Sequence, residues 1–251
     1  MRQTEQTAIV VRHVNYREND RMLTLFSPTQ GRVEAVARGC RRPKSPLVAA
    51  SELFALGDYE LYEKNGRRTV TGAVLTETFY PLRGDWARLT CGMYALECCE
   101  AAIQPEHADQ DLFLLLLHTL SRLSFSDQPW APLMSGFLLY FAETEGLRPR
   151  VNHCVRCGRR VEEGPAGFDL EEGGLLCPAC RRPGERNLRP LSRENLRWLR
   201  RRGPASSWVN TEDAIAPLGV LRAYVEPRLD RQLKTAPLMD ALGREEAEPA
   251  T

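Results

Sequence analysis

Residues 1–81 alternate between apolar and polar positions in the manner of β-strands. The runs that carry this pattern are TAIVVRHV, DRMLTLFS, RVEAVAR, SELFALGDYELYEK and RRTVTGAVLTETFY. Asn65 and Gly66 separate the last two runs, and this pair favours a type I′ hairpin turn because both of its positions need a positive φ. The pattern predicts about five antiparallel strands that form a small closed or half-closed barrel, such as an OB-fold. An SH3-like barrel would give a similar pattern.

From residue 82 the hydrophobic period becomes helical. Three segments show it: DWARLTCGMYALECCEAAI, ADQDLFLLLLHTLSRLS and PWAPLMSGFLLYFAETEG. Asp85 is placed to cap the first helix, and Pro129 and Gly146 delimit the third, as expected from the usual preferences at helix ends. We expect these helices to form a bundle over residues 82–150, with their apolar stripes in its core.

The rest of the chain contains a cysteine-rich segment, then further helical patterns and an acidic end. LSRENLRWLRRRG and AIAPLGVLRAYVEPRLDRQL predict C-terminal helices that pack on the bundle, and GREEAEPAT predicts a disordered tail. The fold class is therefore α+β and multidomain, with a five-stranded barrel followed by a helical domain that carries an inserted cysteine-rich element. The predicted divisions are 1–81 (barrel), 82–150 (helical bundle), 151–188 (cysteine-rich element), 189–242 (C-terminal helices) and 243–251 (tail).

Composition narrows the class and the compartment. The hydrophobic content of 43% and the charged content of 27% are ordinary for a soluble globular protein. We find no apolar run that suits a signal peptide or a bilayer span, so we expect a cytoplasmic protein. Cys98 and Cys99 are neighbours in a helical pattern, which argues against a secreted disulfide framework.

Four cysteines follow the spacing C-x2-C-x19-C-x2-C, at Cys154, Cys157, Cys177 and Cys180. Two Cys-x-x-Cys pairs at such a spacing predict one structural Zn²⁺ ion, because four thiolates fill a tetrahedral shell. A filled shell has no position for a reactive water, so the site would stabilise the fold and not catalyse hydrolysis. His153 is a competing ligand, and a redox-active pair is an alternative that gives the second pair no role.

Basic residues are segregated along the chain although the net charge is only +1. Residues 32–44 hold five basic side chains and one acidic, residues 148–202 hold 14 Arg and 7 acidic side chains, and residues 83–145 are acidic. Segregated positive charge favours a polyanionic partner. The candidate DNA contacts, most of them in the loop ARGCRRPKSPL, are Arg32, Arg38, Arg41, Arg42, Lys44, Arg159 and Arg160.

Aromatic side chains on the predicted strands would add base stacking wherever they face solvent. They are Tyr16, Phe26, Phe54, Tyr59 and Tyr62.

Catalytic motifs are lacking. The segment GCRRPKS resembles a phosphate-binding loop, but Pro43 stands where the second glycine would be and has no amide proton for a phosphate. Neither G-x-S-x-G nor H-E-x-x-H occurs. We therefore expect neither an ATPase nor another enzyme, and no small-molecule substrate.

Four stretches resemble the RecO family of bacterial recombination mediators and occur in the same order as in that family. They are IVVRHVNYRENDRMLTLFSPTQGRVEAVARGCRRPKS, then GLRPRVNHCVRCGR with GGLLCPAC, then LRAYVEPRLDRQLKTAPLMDAL. The resemblance implies an N-terminal OB-fold, a helical domain with a zinc element, binding to single- and double-stranded DNA, and strand annealing. It also implies partnership with RecR and SSB and, indirectly, with RecA, which such mediators help to load on SSB-coated DNA. Association with the nucleoid would follow from DNA binding.

Three other interpretations stay open. OB barrels and zinc ribbons also occur together in RNA-binding and transcription-associated proteins. A zinc or thiol enzyme would use the cysteines chemically, and a pure interaction scaffold would contact DNA only through its partners.

Overall fold

The computed structural model describes residues 2–162, 166–182, 184–200 and 217–247. Compactness divides the chain into two units, residues 1–124 with 233–251, and residues 125–232. The predicted bundle over 82–150 is therefore shared between the units, and these divisions differ from the domain boundaries expected from the sequence.

The first unit contains a closed barrel of five strands. The strands are β1 (Arg2–Asn15), β2 (Arg21–Ser27), β3 (Gly31–Ala37), β4 (Leu56–Lys64) and β5 (Arg67–Glu77). Their order around the barrel is β1-β2-β3-β5-β4. Neighbouring strands are antiparallel except for the β3–β5 pair, which is parallel at Val36 and Thr69. This is the predicted OB-fold arrangement.

The hairpin between β4 and β5 turns at Asn65 and Gly66, whose φ angles are 52° and 71°. Both are positive, which confirms the turn predicted from this dipeptide. Inside the barrel, alternate residues of each strand form an apolar core that includes Val10, Leu25 and Val33. The opposite residues of the same strands therefore face outward.

Three helices complete the first unit: α1 (Trp86–Ala102), α2 (Gln110–Phe125) and α6 (Ala236–Ala247). The Asp85 carboxylate caps α1 by accepting the Arg88 N–H at 3.0 Å, as predicted. Helix α6 continues to Ala247, so the first five residues of the expected disordered tail are helical, and the remaining four lie outside the described residues. In the part of the chain that is described, no helix is long and apolar enough to cross a membrane.

The second unit joins helices to a small sheet. The elements are α3 (Trp130–Thr144), β6 (Ala166–Asp169), β7 (Gly174–Leu176), β8 (Leu188–Leu191), α4 (Arg193–Arg200) and α5 (Leu218–Val225). The strand order in the sheet is β7-β6-β8. Helix α5 packs against α3, and the Tyr224 hydroxyl on α5 donates a hydrogen bond to the Leu147 carbonyl at 2.9 Å. Ser192 caps α4 by accepting the Asn195 N–H at 3.1 Å.

Candidate metal centre and nucleic-acid interface

The structure brings the four predicted cysteines together in the second unit. The sulfur atoms of Cys154, Cys157, Cys177 and Cys180 all lie within 4.8 Å of one another. Two of them, in Cys157 and Cys177, are 3.7 Å apart. A tetrahedron with Zn–S bonds of about 2.3 Å has sulfur–sulfur edges of about 3.8 Å, so the donor set fits Zn²⁺. His153 is not a member of this group among the described residues.

Each cysteine pair lies on a tight turn of the backbone. The Gly158 N–H donates to the Cys154 carbonyl at 2.9 Å, and the Cys180 N–H donates to the Cys177 carbonyl at 3.0 Å. Gly158 has a φ of 71°, which explains why a glycine follows the first pair. The two turns meet because β7 places Cys177 two residues after Leu175, whose carbonyl accepts the Val155 N–H.

The thiols influence one another's protonation. Burial opposes ionisation of Cys154, but N–H groups of Cys177, Cys157 and Arg156 outweigh it and lower the pKa of Cys154 to about 6. Hydrogen bonds with the thiols of Cys157 and Cys177 raise the pKa of Cys180 to about 12. Four thiolates this close together would repel one another, so they require a cation.

Two arginine side chains bind backbone carbonyl groups around the four cysteines. Arg156, between the first two cysteines, donates to the Cys180 carbonyl at 2.7 Å and pairs with Glu185 at 2.5 Å. Arg200, at the end of α4, donates to the carbonyls of Val151 and Val161 at 2.8 and 2.5 Å. We call the four cysteines and the residues around them (148–200) the metal module. These guanidinium groups stabilise its fold, so part of its positive charge is already bound to protein groups.

A second candidate site lies on the barrel, where two depressions of about 300 and 780 Å³ share Arg38, Arg67 and Thr69. Their shared residues join them into one feature, which we call the basic groove. It lies between the β1–β2 loop and the β4–β5 hairpin, the position at which OB-folds bind oligonucleotides. Its lining residues are Tyr16, Arg17, Asp20, Met22, Glu34, Val36, Arg38, Tyr62, Lys64, Asn65, Gly66, Arg67, Arg68, Thr69 and Thr71.

The floor of the basic groove is a row of paired residues that crosses four strands. Met22 pairs with Val36, Val36 with Thr69, and Thr69 with Tyr62. At the strand spacing of a β-sheet the row is about 14 Å long. It is mainly apolar and carries an aromatic ring at one end, so it suits the faces of nucleobases.

The groove covers only part of the outer face of β2 and β3. Further along these strands, Phe26 packs edge-on against Phe113 of α2, with ring centroids 5.3 Å apart. There, the guanidinium of the half-buried Arg32 donates to the Glu100 carbonyl of α1. Arg32 therefore fastens a helix to the barrel, and we propose this role for it in place of the predicted DNA contact.

We expect Arg32→Met to lower the free energy of unfolding by about 1–2 kcal/mol, because the helix loses a charged hydrogen bond to the barrel while the apolar stem is kept. The affinity for DNA and its salt dependence should stay as in the wild type. Denaturant unfolding and fluorescence anisotropy measure the two quantities separately. If Arg32→Met instead shows a weaker salt dependence of DNA binding at an unchanged free energy of unfolding, Arg32 contacts DNA.

The basic loop after β3 is fastened to the β1–β2 loop. The Asp20 carboxylate accepts the Gly39 N–H at 2.8 Å, and the Arg41 N–H donates to the Asn19 carbonyl at 3.1 Å. Of the predicted contacts in this region, Arg38 lines the groove, while Arg41, Arg42 and Lys44 are exposed on the loop beside it. Arg159 and Arg160 are exposed in the second unit.

The structure separates the five aromatic candidates into two groups. Tyr16 and Tyr62 line the groove, and the Arg17 guanidinium lies 5.4 Å from the centre of the Tyr16 ring. Phe26, Phe54 and Tyr59 are buried.

Sequence reasoning missed the basic side chains around the hairpin. Lys64, Arg67 and Arg68 flank the turn, and Arg17 lies in the β1–β2 loop. The run KNGRR carried a signal, since a strongly basic tight turn on a barrel is a suitable phosphate contact.

A closed OB barrel with a basic groove and a four-cysteine cluster are both features found in nucleic-acid-binding proteins, so the chain has the architecture of that class. Comparison with known families identifies the family. The families described as Recombination protein O N terminal and Recombination protein O C terminal match residues 1–79 and 83–237. The chain belongs to the Recombination protein O family, which confirms the resemblance seen in its sequence and supports a role in DNA repair and recombination.

Similar proteins span nearly the whole chain. The DNA repair protein RecO of Anaeromyxobacter sp. (strain K) is 32% identical, over 97% of this chain and 98% of its own length. The DNA repair protein RecO of Symbiobacterium thermophilum is 32% identical, over 93% and 95%. The protein of the same name from Moorella thermoacetica is 29% identical, over 94% and 90%.

Proposed function

We propose that this chain is an ATP-independent recombination mediator that binds single- and double-stranded DNA and anneals complementary strands. With RecR, it helps to load RecA on SSB-coated DNA in the cytoplasm, at the nucleoid. The observation that carries the proposal is the basic groove, in which cationic side chains surround a largely apolar floor on an OB barrel.

Single-stranded DNA suits the groove because its bases are free to turn toward the floor. Phosphates then lie near Arg17, Arg38 and Arg67, which line the groove. A duplex keeps its bases stacked inside, so it contacts exposed basic side chains through its backbone. The residues proposed for that contact are Arg41, Arg42, Lys44, Arg159 and Arg160.

Annealing in this scheme needs no nucleotide hydrolysis. Cationic side chains lower the repulsion between two phosphate backbones, and base pairing supplies the free energy. The chain's part is to hold one strand with its bases accessible while a complementary strand approaches.

We further propose that the four cysteines hold one Zn²⁺ ion. The ion would balance the charge of four thiolates and cross-link the two turns that carry them. The sulfur atoms of Cys154, Cys157, Cys177 and Cys180 lie within 4.8 Å of one another. Four thiolates would complete a tetrahedral shell around the ion, so we expect the centre to stabilise the second unit and to take no part in a reaction.

Annealing of two labelled complementary single strands tests the function. The purified chain, without ATP, should accelerate pairing on both bare and SSB-coated strands, and high salt should suppress the effect. A matched RNA competitor provides the control for nucleic-acid class. If the chain binds single strands without pairing them, or prefers the RNA, the mediator function is wrong and a general nucleic-acid-binding protein takes its place.

A further inference from the structure

Two carboxylates line the basic groove, although a polyanion-binding surface would be expected to avoid negative charge. Asp20 accepts the Gly39 N–H and thereby fastens the basic loop, which leaves Glu34 as the candidate for contact with a bound base. Glu34 is an exposed residue on the outer face of β3, and it lines the groove beside Met22 and Val36. Its carboxylate oxygens accept the hydroxyl of Thr24, its partner on β2, at 3.0 and 3.2 Å. Since Thr24 is buried, it holds the carboxylate in a fixed position.

The position of Glu34 places it at the inner end of the groove. On the outer face of β2 and β3, the Thr24–Glu34 pair follows the Met22–Val36 pair of the floor. The pair after it, Phe26–Arg32, is covered by α1 and α2, so the groove ends at Glu34 on the side of these helices. A DNA strand bound in the groove therefore meets the negative charge of Glu34 on the side of the helices and the positive charge of Arg38 and Arg67 on the other side. This arrangement repels phosphate from the inner side and turns the bases toward Glu34.

A carboxylate distinguishes bases by their hydrogen-bonding groups. It accepts only, and each oxygen has lone pairs that the Thr24 hydroxyl does not use. Cytosine presents an amino group, whereas thymine presents a carbonyl oxygen at the same ring position, and a carbonyl is repelled by a carboxylate. Adenine and guanine also carry amino groups.

We propose that Glu34 makes the basic groove selective against thymine by accepting a hydrogen bond from the amino group of a bound base. The inference rests on the proposed binding of single-stranded DNA in this groove and adds a base preference to it. The residue determines specificity and adds nothing to backbone affinity, since its charge repels phosphate.

Binding of labelled oligo-dC and oligo-dT of about 12 nucleotides, a length within the range covered by an OB-fold, tests the proposal. Both probes carry the same charge, and both contain pyrimidines only. The full chain should bind oligo-dC about fivefold more tightly than oligo-dT, as expected for one discriminating contact. In Glu34→Gln the ratio should fall to about one, because an amide accepts from cytosine and donates to thymine, and both affinities should rise.

The control variant is Glu5→Gln, which removes the same charge from an exposed position on β1 that does not line the groove. It should keep the wild-type ratio. If both probes bind in a salt-dependent manner with equal affinities, or if Glu34→Gln keeps the preference, only the role of Glu34 is wrong. If neither probe binds, the proposed function of the groove fails together with it.

Discussion

Reversing the charge at Arg38 and Arg67 together should weaken single-stranded DNA binding by about 100-fold near physiological salt. Both side chains line the shared part of the basic groove, so each reversal removes one phosphate contact and adds one repulsion. The slope of log affinity against log salt should become shallower by about 1.4, because two fewer phosphates of the single strand are neutralised. Fluorescence anisotropy over a series of salt concentrations measures both quantities.

Arg244→Glu is the matched control for this variant. Arg244 is exposed on α6 in the same unit, outside the groove, so its reversal should change the affinity little. The double variant Arg159→Glu with Arg160→Glu examines the metal module separately, and a fall in duplex affinity is expected if that module extends the DNA surface. Equal losses per reversed charge in the groove variant and in Arg244→Glu would mean that total charge, and not the groove, governs binding.

Replacing Cys154 with serine should abolish zinc binding and lower the free energy of unfolding by at least about 4 kcal/mol. Cys154 is buried, with 2% of its surface exposed, and its sulfur belongs to the four-cysteine group. A hydroxyl is a much weaker ligand than a thiolate, so the two cysteine turns lose their cross-link. Metal content by mass spectrometry and urea unfolding followed by circular dichroism provide the two measurements.

Cys40→Ala is the control, because Cys40 is also buried but belongs to the barrel core. It should retain one zinc ion per chain even where it is less stable than the wild type. Removal of zinc from the wild-type chain by a chelator should reproduce the loss of stability seen in Cys154→Ser. Full zinc content in Cys154→Ser would contradict the assignment of the four ligands.

A count of arginines along the sequence overestimates the positive charge that the metal module can offer to DNA. Residues 148–202 hold an excess of arginine, which the sequence associates with a polyanion. In the structure, the guanidinium groups of Arg156 and Arg200 are bound to carbonyl groups around the cysteines. Part of that excess therefore maintains the fold, and the charge available to DNA is smaller than the count indicates.

The sequence alone determined those features that form within a few residues. The Asn65-Gly66 turn, the Asp85 cap and the two cysteine pairs each follow from local backbone geometry, and the structure agrees with all of them. Alternation along the strands likewise predicted the barrel.

Only the tertiary structure decided which side chains form the groove. Tyr16 and Tyr62 are far apart in the chain and meet the same groove because the strands close into a barrel, whereas Tyr59 points into its core. Arg32 resembled its basic neighbours in sequence, but α1 docks over it and uses its guanidinium. Exposure depends on barrel closure and helix docking between distant segments, and such contacts leave no periodic pattern for a reader of the sequence.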